Sequence, residues 1–257
     1  MLLAIDCGNS NIVLGIFQKE EMVEHWRIAT DDKKSCDEYS LLFHQLFTLK
    51  SRYAITEIDG VAIASVVPAL TDVLAKAAHE VFGVEPFIVG KNCHDQLVLK
   101  IDRPEELGAD RIIDAVSGLA KYGAPLIIVD FGTAITFDCL SAEGHYLGGA
   151  IAPGMGISAD ALFSRAAKLP RVDLTAPPKV LSTNTIQCMQ SGIVYGFAGL
   201  VDGIVGQLKE TLGEKTRVVA TGGMAKLIMG HAKSLDILDD DLTIQGLRLV
   251  YERKGRQ

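Results

Sequence analysis

Two short runs carry residues suited to gripping phosphate: Asp6-Cys-Gly-Asn-Ser10 and Asp130-Phe-Gly-Thr133. In each, a carboxylate closes an apolar run (Leu2–Ile5, Leu126–Val129) and is followed by glycine and small polar residues. A carboxylate so placed holds a cation that offsets phosphate charge. A glycine turn lets backbone N–H groups approach phosphate oxygens. Asp6 aligns with Asp130, Gly8 with Gly132 and Asn9 with Thr133, while Thr136 adds a further hydroxyl. Either run taken alone is more simply a D-x-G hairpin turn. The pair, each behind a buried strand at the start of a half-chain, suggests instead two similar halves facing each other across a phosphate.

Glu106-Leu-Gly-Ala-Asp-Arg-Ile112 is a second constellation. Asp110 and Arg111 open a helix. The carboxylate reads as a general base beside a cation that steadies an anion, or as a helix-start acid stabilised by the dipole by about 0.3–1 kcal/mol. Two glycine runs complete the set. Gly148–Gly156 allows close backbone approach, and its Gly154-x-Gly156-x-x-Ala159 spacing matches the dinucleotide fingerprint weakly, with no clear βαβ unit or ribose-binding acid after it. Thr221-Gly-Gly-Met-Ala225 follows a strand and opens a helix; it reads as a seat for an adenosine or phosphate edge, or as a plain strand-to-helix turn.

Several function classes are disfavoured. The 257 residues carry a formal net charge of -7, which speaks against nucleic acid as the main partner. Cys7, Cys36, Cys93, Cys139 and Cys188 are scattered and odd in number, as expected of reduced thiols in a cytoplasmic protein. The six histidines form no ligand-spaced pair, which argues against zinc. No P-loop and no G-x-S-x-G elbow is present. No signal peptide is expected, and no apolar run approaches the roughly 20 residues of a membrane span.

The elements that must position these residues follow from periodicity. Strands are expected at 2–7, 11–17 and 21–30, with Val23, His25 and Arg27 on one face of the third. A helix over 35–47 is capped by Ser35, a buried strand over 60–67 stops at Pro68, and a helix over 70–82 and a strand over 86–89 follow. A charged loop, 94–106, leads to a helix over 108–122. The second half repeats the theme: strands through 126–138 and 146–152, helices over 157–167 and 185–212, a strand at 218–220, a helix to about 232, a strand at 237–238, and 242–251 to finish. The expected division is 1–114 and 115–257. Each half is an α/β lobe whose mixed sheet combines an antiparallel meander with parallel strands, flanked by helices.

With these motifs in this order, the chain resembles the type III pantothenate kinases of the actin–hexokinase superfamily, whose lobes are ribonuclease-H-like. Asp6-x-Gly-Asn-Ser10, Gly108-Ala-Asp-Arg111, Asp130-Phe-Gly-Thr-Ala134, Gly148-Gly-Ala-Ile-x-Pro-Gly154 and Thr221-Gly-Gly223 carry the resemblance, which spans nearly the whole chain. Sugar kinases of the superfamily share the D-x-G turns but not Gly-Ala-Asp-Arg. The resemblance implies phosphorylation of the primary hydroxyl of pantothenate by ATP with Mg²⁺. It makes Asp110 the proton acceptor and Gly108, Ala109, Asp110, Arg111 and Thr185 substrate contacts. Asp6, Cys7, Gly8, Asn9, Ser10, Asn11, Ile12, Val13 and Thr133 would line ATP. Asp6 would sit near Mg²⁺, and Asp130 would bind potassium or ammonium. It also implies a cytoplasmic homodimer with no nucleic-acid or membrane partner. One departure stands out. Where the family has a substrate-contacting tyrosine in Tyr-Asp-Asn-Pro, this chain reads Ile101-Asp-Arg-Pro104, so the phenol is missing and Arg103 is the candidate to compensate. The competing readings are another small-molecule kinase of the superfamily, a non-catalytic accessory factor, and a dinucleotide-dependent enzyme.

Overall fold

A computed structural model describes residues 1–90, 97–166 and 168–254. Cys93, the first residues of the 94–106 loop and Ala167, the expected end of the fourth helix, lie outside that range. The chain forms two compact units: Met1–Leu97 with Asp102–Ser117 and Leu242–Gln257, and Val98–Ile101 with Gly118–Asp241.

In the first unit, β1 (Leu2–Cys7), β2 (Asn11–Gln18), β3 (Glu21–Ala29), β4 (Gly60–Ser65) and β5 (Phe87–Ile88) form a sheet in the order β3-β2-β1-β4-β5. The meander β1-β2-β3 is antiparallel, and β4 and β5 add in parallel. Alternation sets the two faces. Leu3, Ile5, Cys7, Ile12 and Leu14 pack under α1 (Cys36–Leu49) and α2 (Pro68–Phe82). Ala4, Ala62 and Ala64 lie on the opposite face, against Ile112, Ile113 and Val116 of α3 (Ala109–Tyr122) and Leu247 and Val250 of α7 (Leu242–Arg253). Ser35 caps α1 in a full capping box with Glu38.

The second unit repeats this plan. β6 (Leu126–Phe131), β7 (Ala134–Leu140), β8 (Tyr146–Pro153), β9 (Arg217–Thr221) and β10 (Ile237–Leu238) run in the order β10-β9-β6-β7-β8, with the same pattern of parallel and antiparallel pairs. β6 therefore occupies the place of β1, as the paired D-x-G runs imply. One sheet face is covered by α4 (Met155–Arg165), α5 (Thr185–Leu212) and α6 (Ala225–Met229). α5 is long and apolar, with a mean hydropathy of 1.3 over its most apolar window. Its Val194, Ala198, Val201 and Val205 form a helical stripe buried in this unit's core.

Three expectations need correction. The division is not a single cut at 114/115. The split falls inside α3, and α7 joins the first unit, because its Leu247 and Val250 bury against Ala4 and Ala62. α6 ends at Met229 rather than near Ala232, with Gly230 as its cap. α4 begins at Met155, right after Gly154.

A buried polar pair stiffens the second sheet. Tyr146 on β8 donates its hydroxyl to Asp138 Oδ1 on β7 at 2.5 Å, and Thr136 donates to Oδ2 at 3.2 Å. Tyr146 and Asp138 are both 0% exposed. Tyr146→Phe is expected to cost about 1–3 kcal/mol, the penalty for a buried acceptor losing a donor. Urea unfolding checks this; an unchanged midpoint would show that the carboxylate is satisfied without the phenol.

Candidate active site

In the first unit the site is built at the end of β1. Asp6 pairs in register with Val13 on β2 and Ala64 on β4, so its carboxyl projects from the face covered by α3 and α7. The turn after it is held by a hydrogen bond from Gly8 N to Asn11 O at 2.9 Å. It is tied to the end of β3 by Thr30, which donates from Oγ1 to Gly8 O at 2.6 Å and from N to Ser10 O at 3.1 Å. Asn9, Ser10 and Asn11 are exposed, whereas Cys7 and Ile12 bury their side chains in the core. Those two offer a ligand only backbone atoms. Burial also pushes the Cys7 thiol up, which suits a packing residue rather than a nucleophile.

Asp110 opens α3 on the same face, two residues ahead of the buried Ile112. Its Oδ1 accepts the backbone N–H of Arg111 at 2.9 Å and lies against Gly108, where a Cβ would push the Asp110 carboxylate out of this position. Asp6 senses the Asp110 charge: burial first, then that charge, push the Asp6 carboxyl up to about 7, and Arg27 pulls it down. The structure thus gathers Asp6, Asp110, the turn 8–10 and the start of β2 into one unit. Two carboxylates on one face, one of them resisting ionisation, fit a site that receives a cation.

In the second unit Asp130 stands at the same place on β6. Its cross-strand partners are Thr136 on β7 and Thr221 on β9. Gly222, with φ of 91°, passes so close to the Asp130 carboxyl that a Cβ would collide with it. The run Thr221-Gly-Gly therefore shapes the seat of Asp130. The helix it opens has only five residues, too short to serve as an anion-binding end. Thr133 lies exposed in a two-residue turn, one residue shorter than its counterpart after β1, and its carbonyl accepts from Gly154 N at 3.0 Å. Thr185 lies past the Asn184 cap of α5, at a cavity of about 710 Å³ lined by Leu162, Leu169, Met189 and Phe197. That cavity holds none of the carboxylates. Ile101 approaches Gly148, and Arg103 spends its guanidinium on Glu106 at 2.8 Å.

A family model described as type III pantothenate kinase matches residues 2–207. The chain belongs to the type III pantothenate kinase family. It is 49% identical to the type III pantothenate kinase of Citrifermentans bemidjiense over 98% of this chain and 99% of that one. It is 51% identical to the type III pantothenate kinase of Moorella thermoacetica over the same shares. Among solved structures, the inorganic polyphosphate/ATP-glucomannokinase of Arthrobacter sp. strain KM superposes with a TM-score of 0.53 at 12% identity, covering 98% of each chain. That likeness concerns the fold alone, an α/β architecture that accommodates the two five-stranded mixed sheets. Membership of the family makes the chain an enzyme, a kinase that uses ATP with a divalent metal.

Of the residues the family resemblance singles out, 6–13 and 108–111 fall in the first unit, and Ile101, Asp130, Thr133 and Thr185 in the second. Among the described residues no three His, Cys, Asp or Glu side chains group as a metal site. A cation here would share its coordination with substrate oxygens. The sequence marks out Thr221 and Arg27 but does not place Thr221 opposite Asp130 or Arg27 in line with Asp6. The period-two pattern of β3 was legible, but strand register was needed to put Arg27 in the row of Asp6.

Proposed function

We propose that this chain transfers the γ-phosphoryl group of ATP to the primary hydroxyl of pantothenate, giving 4'-phosphopantothenate in the first step of coenzyme A biosynthesis. Membership of the type III pantothenate kinase family, at about half identity along nearly the whole chain, is the observation that carries this reading. Asp110 accepts the hydroxyl proton as the oxygen attacks phosphorus, and Gly108, Ala109, Arg111 and Thr185 hold pantothenate. Asp6 and the backbone of Cys7–Val13, with Thr133, hold the phosphates of ATP. A divalent ion, when bound, neutralises phosphate charge; the Asp6 carboxyl, reluctant to ionise alone, is suited to help hold it.

Asp130, with the hydroxyls of Thr136 and Thr221 on the neighbouring strands, offers the hard oxygen donors that suit potassium or ammonium. Turnover is therefore expected to fall several-fold or more when both ions are replaced by sodium, while ATP-free stability shows a matching preference for potassium. Equal turnover and equal melting temperature in the two salts would remove Asp130 from this role. The chain also acts as a homodimer in this reading, supported by exposed Val180, Leu181 and Ile186 at the start of α5 and in the loop before it. A coupled ADP-release assay with pantothenate, glucose and acetate tests the substrate. The expected result is release with pantothenate alone; release only with a sugar or acetate would favour another kinase of the superfamily.

A further inference from the structure

Asp6, Val13 and Arg27 are cross-strand partners in a single row over β1, β2 and β3. Side chains at paired positions leave the sheet on the same face. Trp26 and Ile28 on either side of Arg27 turn toward the core under α1 and α2, which leaves Arg27 on the face of Asp6. Two strand spacings separate the Asp6 and Arg27 backbones, about 10 Å. That is a span an arginine and a phosphate oxygen readily bridge together. The end of β3 is also fixed to the D-x-G turn, through both hydrogen bonds of Thr30.

The guanidinium of Arg27 is uncommitted. Arg52, Arg103 and Arg248 in the same unit pair with Glu24, Glu106 and Glu252. Arg27 is exposed, and among the described residues no hydrogen bond or ion pair engages it. Its charge nonetheless reaches the Asp6 carboxyl, which it draws down against burial. A free cation in line with Asp6, next to the turn that follows it, is available to an incoming anion.

We propose that Arg27 is a catalytic residue of this site, a cation that donates hydrogen bonds to the terminal phosphate oxygens of ATP and holds them through transfer. The proposal rests on the reading that the turn after Asp6 receives those phosphates. In the transfer the acceptor oxygen bonds to the γ-phosphorus and the bond from that phosphorus to the bridging oxygen of ADP breaks. The hydroxyl proton passes to Asp110. Arg27 gives and takes no proton; it offsets the charge spread over the phosphoryl oxygens.

Arg27→Ala, Arg27→Lys and wild type separate the possibilities. Arg27→Ala is expected to lower kcat about 100-fold or more, and Arg27→Lys to recover part of it, because lysine keeps the charge but not the planar fork. Guanidinium chloride should restore activity to Arg27→Ala, and sodium chloride at equal ionic strength should not. Calorimetry supplies an arm independent of turnover: ATP affinity should fall about tenfold in Arg27→Ala, with adenosine binding unchanged. Unchanged kcat and ATP affinity in Arg27→Ala would overturn the proposal. So would a defect confined to the KM for pantothenate, which would place Arg27 on the acceptor. If wild type itself fails to phosphorylate pantothenate, the proposed substrate falls, and the ATP-binding arm still decides whether Arg27 holds phosphate.

Discussion

Asp110→Asn is expected to lower kcat by about 10²–10⁴-fold, the usual scale for a lost general base, while ATP affinity changes little. The asymmetry follows from what the substitution leaves intact. The asparagine amide keeps an oxygen for the Arg111 N–H, which Asp110 accepts at 2.9 Å, so the opening of α3 keeps its shape. The buried anchors Ile112, Ile113 and Val116 are untouched. What is lost is the carboxylate proposed to take the hydroxyl proton. Single-turnover kinetics with ATP titrations make the test. A variant with near-wild-type turnover would strip Asp110 of the base role.

Asp6→Asn has the second large effect, and its sign on stability is opposite to its sign on activity. The Asp6 carboxyl titrates near 7 in the folded chain against 3.8 unperturbed, chiefly through burial and then through Asp110. Between those values the folded state keeps a proton that the unfolded state has lost. Stability from this group is therefore full below about 3.8 and declines as pH rises through about 7. The interval corresponds to about 4 kcal/mol at most, reduced by the solvent contact Asp6 retains. Without divalent ions, wild type should lose stability from pH 5 to pH 8 more steeply than Asp6→Asn, and the variant should be the more stable protein at the upper end. Magnesium with nucleotide should flatten the wild-type decline and leave the variant unmoved, while activity of the variant is lost. Parallel pH profiles for the two proteins, measured by denaturant unfolding, would contradict the burial of a strained carboxyl.

Much of the fold was legible because each lobe announces itself locally. The apolar runs Leu2–Ile5 and Leu126–Val129 end in an aspartate and a glycine turn, and both are central strands with an antiparallel partner. α5 was legible from end to end, since Asn184 caps its start and Gly213 its finish. What could not be read is tertiary. α7 has an ordinary amphipathic pattern, and nothing in it says that Leu247 and Val250 pack back on the first sheet. Of the residues proposed to act, Asp6, Asp110 and Asp130 stand out in the sequence by type and spacing. The places of Arg27 in the row of Asp6 and of Thr221 opposite Asp130 do not stand out in this way, because they come from strand register, a relation between distant segments. Asp138 looked like the end of a strand, yet it is a fully buried acid held by Tyr146 and Thr136.

Phosphoryl transfer to pantothenate is open to a direct test by product analysis. The purified chain is incubated with ATP, magnesium, potassium and pantothenate. ADP is followed continuously, and phosphorus NMR locates the transferred group. ADP should appear one-to-one with a phosphate ester on the primary alcohol of pantothenate, and only background ADP should appear when pantothenate is omitted. ADP released at the same rate with and without pantothenate, or no new phosphate ester on it, would contradict the account.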